Sequence, residues 1–197
     1  MESPPPDRRP ERVRLFVALA LPSPVRAELA AWAGGLLRDD EALRPVPAEA
    51  LHVTLAFLGS RDASDIEAIA AATATAVAGL AAPLLEPGEL AALPRRRPRV
   101  LALDLADRDG RTAAVQGAVG AALADAAGYE PESRRFRPHV TVARVRKGAQ
   151  PVARAPVRAP LRPFTAAEVV LYRSELRPGG ARYTPLSATA LRADGQR

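Results

Sequence analysis

The sequence of 197 residues contains no cysteine, which excludes disulfides and thiolate metal sites. It has two histidines, one tryptophan, one methionine and a single lysine, Lys147. Two histidines far apart in the chain, with no cysteine and no conspicuous carboxylate cluster beside them, fall short of a three-ligand zinc site. No apolar run is long enough to cross a bilayer. The most apolar segment, Ile66 to Ala82, is interrupted by Glu67, Thr73, Thr75 and Gly79 and reads as an alanine-rich helix. Met1-Glu2-Ser3-Pro4-Pro5-Pro6 has no basic cap followed by an apolar stretch, so no secretory leader is expected and a cytoplasmic location is. Gly-x-Ser-x-Gly and Gly-x-x-x-x-Gly-Lys words are also missing, which removes the usual signals for a serine nucleophile and a phosphate-cradling loop.

What is present is concentrated in those two histidines. They stand in the same word, His52-Val53-Thr54-Leu55 and His139-Val140-Thr141-Val142. In an extended strand, positions i and i+2 share a face. Each word therefore sets an imidazole beside a hydroxyl on one face and buries Val53/Leu55 or Val140/Val142 on the other. A single histidine on a strand is more often a hydrogen-bonded structural residue than a catalyst. Two copies of one word, holding all the histidine in the chain, point to acid–base chemistry instead.

The formal charge is +6, and arginine supplies nearly all of the positive charge. This permits an anionic partner such as nucleic acid without demanding one. The run Arg95-Arg96-Arg97-Pro98-Arg99 reads equally as a grip on an RNA backbone or as a solvated loop, and Arg134, Arg135 and Arg137 flank the second histidine word. Tyr183, Phe136 and Trp32 are candidates for base stacking, against the plainer reading that each is core.

Along the chain, residues 1–12 read as a proline-rich disordered lead-in and 193–197 as a tail, leaving 13–192 as one domain. Val13 to Leu19 alternates as a strand. Ser23 is placed to cap a helix that Pro24 opens and that runs to about Arg38. Leu51 to Leu58 forms the first histidine strand, closed by Gly59. The spacing Ser64-x-x-Glu67 predicts a capping box on a helix to about Leu80. Strands follow at Leu84–Leu93, kinked at Pro87-Gly88, and at Val100–Leu105. A third helix spans Thr112 to Ala126 and ends at Gly128. The second histidine strand covers Pro138 to Val145. Gly148 to Pro163 reads as an exposed loop, and strands near Ala167–Leu176 and Thr184–Leu191 close the chain. The expectation is an α+β fold: two lobes in a pseudo-twofold duplication, antiparallel sheets flanked by helices, and a cleft between the lobes.

Two imidazoles facing one cleft supply the pair that phosphodiester cleavage needs: one, neutral, to take a proton from water, the other, charged, to give one to the leaving oxygen. An unperturbed histidine pKa of about 6.5 makes both forms accessible near neutrality. Thr54 and Thr141 can donate hydrogen bonds to phosphate oxygens, and an arginine can add charge. Arg144 is the nearest arginine, but it lies five residues after His139. Strict alternation turns it away from the cleft, so it needs a bulge, a strong twist or the end of the strand to reach the site.

Most of the chain resembles the RNA 2′,3′-cyclic phosphodiesterases of the two-histidine phosphoesterase superfamily, once called 2′–5′ RNA ligases. Arg14-Leu15-Phe16-Val17-Ala18-Leu19-Ala20-Leu21-Pro22 is similar to the family's opening strand. Leu51 to Gly59 and Phe136 to Arg144 are similar to its two signatures, and Leu171 to Leu176 with Gly180, Tyr183 and Leu186 to its C-terminal hairpin. The resemblance implies opening of a terminal 2′,3′-cyclic phosphate to a 2′-phosphate without metal or cofactor. It also implies His52 as proton donor, His139 as proton acceptor, and Thr54, Thr141 and Arg144 on the phosphate. The expected partners are RNA ends or small cyclic-phosphate nucleotides, acted on by a monomer away from membranes. A phosphodiesterase for a small cyclic nucleotide phosphate and a non-catalytic binder of RNA ends remain as alternatives.

Overall fold

The computed structural model describes residues 11–152, 156–177 and 180–193; the remainder of the expected lead-in and tail, and the Pro178-Gly179 part of the last turn, lie outside the described residues. In chain order the elements are β1 Arg12–Ala20, α1 Ser23–Leu36, β2 Leu43–Pro45, β3 His52–Asp62, α2 Ile66–Val77, β4 Leu84–Leu93, β5 Val100–Ala106, α3 Arg111–Ala127, β6 His139–Val145, β7 Phe164–Thr165, β8 Glu168–Arg177 and β9 Gly180–Ala190. The sheet order is β7-β4-β5-β6-β3-β1-β8-β9, with β2 on the free edge of β6. Every named pairing is antiparallel.

That order divides evenly. β9-β8-β1-β3 form one half and β7-β4-β5-β6 the other, and each half ends on its histidine strand. The two lobes expected from the sequence are thus halves of one antiparallel sheet, joined where Val53 of β3 pairs with Val140 of β6. The α+β duplication is borne out, and the cleft is the sheet face opposite the core.

Apolar alternation drives the packing. Leu15, Val17 and Leu19 of β1, Val53 of β3, Leu103 of β5, Val140 of β6 and Leu171 of β8 are fully buried in one cluster with Leu29 of α1, Ile69 of α2 and Leu123 of α3. Helix α1 packs on β2 and β6, α3 on β3, and α2 on α3, β8 and β9. Full burial of a leucine or valine side chain is worth roughly 1.5–3 kcal/mol, so this cluster fixes which face of the sheet is dry. Strand polarity then fixes which residues are left facing water.

Several local expectations shift. Ser23 does not cap α1: Pro22 holds that position and the Ser23 hydroxyl accepts from Arg26 Nη2 instead. The Ser64/Glu67 capping box does not form. Residues 63–65 make a short 3₁₀ turn, which carries the chain into α2 with no side-chain cap. Gly59 does not end the first histidine strand, which continues to Asp62. With φ of +70° it takes the left-handed conformation beside a register slip against Leu15 and Phe16, where glycine is unstrained. The Pro87-Gly88 kink is a bulge: Pro87 pairs with Leu105 but Leu90 with Leu103. Gly128 ends α3 in the left-handed conformation, as expected.

Candidate active site

The two histidine strands lie side by side, and their bridged pair, Val53 and Val140, sits between the histidine and threonine of each word. Continuing that antiparallel register sets His52 opposite Thr141 and Thr54 opposite His139. The two valines point into the core, so all four polar side chains take the other face. They line one small cavity of about 50 Å³ together with Arg144, Tyr183, Val46 and Ala50. Every residue expected at the site from the sequence is brought to it.

Both rings are held the same way. His52 Nδ1 donates to the Ala50 carbonyl and His139 Nδ1 to the Arg137 carbonyl, each at 2.8 Å and each two residues upstream. This shared contact fixes the tautomer and leaves the lone pair of the neutral ring on Nε2 in each case. In the first word the Thr54 hydroxyl donates to His52 Nε2 at 3.1 Å.

Arg144 arrives by a register slip. Ala102 of β5 pairs with Thr141 and Leu101 with Ala143, leaving Val142 as an extra residue. Val142 and Ala143 are therefore both buried, the alternation inverts, and Arg144 emerges on the cleft face. Its Nη2 donates to the Tyr183 hydroxyl at 3.4 Å. The first word has the same slip: Leu55 is extra between Thr54 and Ala56, and Leu55 and Ala56 are both buried. By the pseudo-twofold, Phe57 occupies the place of Arg144. It is 51% exposed, and the Arg14 guanidinium lies 5.4 Å from its ring centre.

The surroundings of the two imidazoles differ. His52 is flanked by Phe16, whose centroid is 4.8 Å away, by Tyr183 edge-on at 5.3 Å and by Tyr172 at 6.2 Å. Three of the chain's few aromatic side chains are spent around this one ring. Burial among them disfavours the charged form and lowers the His52 pKa to about 4. The Ala50 carbonyl opposes the shift, while Arg144 and His139 add to it. His139 has no such wall among the described residues; it pairs across the β5–β6 ladder with Asp104, whose carboxylate pairs with the Arg137 guanidinium.

Of the other candidates, Tyr183 lines the site, whereas Trp32 and Phe136 pack against the core. Asp104, Phe57, Phe16 and Tyr172 were not singled out as site residues from the sequence. The signal for Asp104 was a carboxylate inside an otherwise apolar strand. For Phe57 it was an offset from His52 equal to that of Arg144 from His139. Among the described residues no three histidine, aspartate or glutamate side chains converge as metal ligands, and no helix is long and apolar enough to cross a membrane.

The sequence profile of the 2'-5' RNA ligase superfamily matches residues 21–177. The chain belongs to that superfamily. Its similarity to characterised members spans nearly the whole length. It is 32% identical over 186 residues to the RNA 2',3'-cyclic phosphodiesterase of Escherichia coli (strain K12), covering 92% of this chain and 98% of that one. It is 33% identical over 197 residues to the protein of the same name from Thermus thermophilus, covering 92% of each. Among solved superfamily structures, TT0787 of Thermus thermophilus superposes with a TM-score of 0.78 at 27% identity, over 92% of this chain and 99% of that one. E. coli LigT complexed with 3'-AMP gives 0.76 at 28%, over the same shares. LigT complexed with phosphate gives 0.70 at 27%, over 92% and 98%.

Proposed function

We propose that the protein is a phosphodiester hydrolase that opens the terminal 2′,3′-cyclic phosphate of RNA to a 2′-phosphate, using paired histidines and no metal. The observation that carries the reading is the convergence of two histidine–threonine pairs and one arginine on one small cavity. Relatives that share the fold and cover nearly the whole chain bear the phosphodiesterase name, and one was solved with 3'-AMP and with phosphate.

In this reading the phosphoryl group sits between the two Nε2 atoms. His139 takes a proton from water as its oxygen attacks phosphorus. The bond to the 3′ oxygen breaks, and His52 delivers the proton from its Nε2 to that oxygen. The products are a 2′-phosphate and a 3′-hydroxyl. Thr54, Thr141 and Arg144 donate to the non-bridging oxygens as charge builds on them. The aromatic wall keeps water from His52, so its proton goes to the leaving oxygen rather than to solvent. Burial depresses the pKa of that ring in the empty site; the phosphate anion favours the charged form and offsets the depression when substrate is bound. Phe57, exposed on the cleft face at the end opposite Arg144, offers a stacking surface for the terminal base.

The test is to incubate the purified protein with an RNA bearing a 2′,3′-cyclic phosphate, in excess chelator, and to identify the product by phosphorus NMR. A 2′-phosphate is expected at an undiminished rate. A 3′-phosphate, or turnover that disappears with chelator, would refute the reading.

A further inference from the structure

The arginines of this chain fall into two groups. Many are neutralised: Arg12 by Asp62, Arg108 by Glu86, Arg137 by Asp104, Arg173 by Glu11. At the C-terminal end of β6 the pattern stops. Arg44, Arg144, Arg146 and Lys147 line a groove of about 250 Å³, and none of them has a carboxylate partner among the described residues. Arg144 lines both this groove and the histidine cavity, so the two spaces adjoin at its side chain.

The fold gathers these cations. β2 pairs with β6 so that Arg44 is directly opposite Arg144, which puts both on one face, and Arg146 follows two residues on. The Arg44 guanidinium lies beside Gly180, its carbon 3.7 Å from where a Cβ would stand. Arg146 is steadied by donating from Nε to the Glu41 carbonyl at 3.0 Å. On the other flank of β6, Val145 N–H donates to the Arg99 carbonyl at 2.9 Å. The backbone of Arg99, at the end of the exposed Arg95–Arg99 run between β4 and β5, is thereby tied to Val145, which lines the groove. Asp40 and Glu41 share a neighbouring hollow with Arg146, but no ion pair among the described residues neutralises the four cations, and their mutual repulsion is a cost that an anionic ligand removes.

We propose that this groove is a second phosphate subsite, which takes the internucleotide phosphates of the RNA strand leading to the cyclic end. The inference rests on the hydrolase reading above and extends it: the substrate is an oligonucleotide end, and the Arg95–Arg99 hairpin continues the basic track. One phosphate at the histidines and the next in the groove would set the register of the strand on the protein.

The experiment compares kcat/KM for three substrates ending in a 2′,3′-cyclic phosphate: a mononucleotide, the same mononucleotide carrying a 5′-phosphate, and a tetranucleotide. Wild type is expected to favour the tetranucleotide over the bare mononucleotide by at least about tenfold. In R146Q/K147A that ratio should collapse toward one. The slope of log kcat/KM against log salt for the tetranucleotide should also become shallower, by about 1.4 for two lost phosphate contacts to a single strand. K147E alone, a change at an exposed side chain, guards against misfolding and should reduce the ratio in the same direction. A ratio near one in wild type, or one unmoved in both variants, overturns the subsite. A gain with the 5′-phosphorylated mononucleotide that R146Q/K147A abolishes supports the subsite, because its 5′-phosphate stands where the next internucleotide phosphate would. If no cyclic substrate is turned over, the hydrolase reading itself fails, whereas turnover of the mononucleotide with no length preference fails the subsite alone.

Discussion

Burial of His52 among Phe16, Tyr172 and Tyr183 has a consequence for folding that can be measured without any substrate. The perturbation is a fall from about pH 7.5 to about pH 4, applied to wild type and to His52→Gln. In the unfolded chain the ring takes up a proton near its ordinary value of 6.5, whereas in the folded protein it resists until about 4. Between those values the unfolded state binds more protons, so acid favours unfolding and stability rises with pH across the window. A tenfold difference in proton affinity is worth about 1.4 kcal/mol, so the whole depression of the imidazole pKa amounts to on the order of 3 kcal/mol. Above about pH 6.5 the penalty is absent. The glutamine variant has no proton to take up at this position. Every other side chain is common to the two proteins, so the comparison isolates position 52. The assay is urea denaturation followed by circular dichroism at half-unit pH steps. The stability of wild type minus that of the variant should fall by on the order of 3 kcal/mol on going down through the window. A difference that stays flat from neutral pH to about 4 would mean that the folded protein accepts the proton freely, and the aromatic enclosure would then not control the ring.

Three further outcomes follow from the geometry. His52→Ala and His139→Ala should each lower kcat for an RNA cyclic phosphate by roughly 10²–10⁴-fold, measured by product formation under saturating substrate; loss of less than tenfold in either would remove that ring from proton transfer. Phe57→Ala should raise KM by an amount matching about 1–3 kcal/mol of lost stacking while leaving kcat close to wild type, and an unchanged KM would place the base elsewhere. Leu171→Ala, at a fully buried position in β8, should cost about 2–5 kcal/mol in denaturant unfolding, with activity retained at temperatures where the variant remains folded.

The two histidine words were legible because they contain both of their own requirements: polar residues two apart on one face, and valine or leucine between them to bury the other. The strands, the helix stop at Gly128 and the Pro87-Gly88 kink were legible for the same kind of reason, since each is written in a few neighbouring residues. Arg144 was not, because alternation alone points it into the core. Only the cross-strand register with β5, which leaves Val142 unmatched, turns it back into the cleft. The caps at Ser23 and Ser64 were misread because a hydroxyl near a helix start has other uses, and tertiary packing of the helices made side-chain caps dispensable. The continuity of the two halves was likewise out of reach, since β3 and β6 meet through a single bridged pair set by the whole fold.

That single bridged pair also governs how the molecule tolerates motion. Val53 and Val140 lie at the seam between the halves, and the reactive side chains are their immediate neighbours. When one half twists against the other, points near the pivot barely translate while the periphery swings most. A twist of one half against the other would therefore displace the outer strands β7 and β9 most and the two histidine words at the seam least.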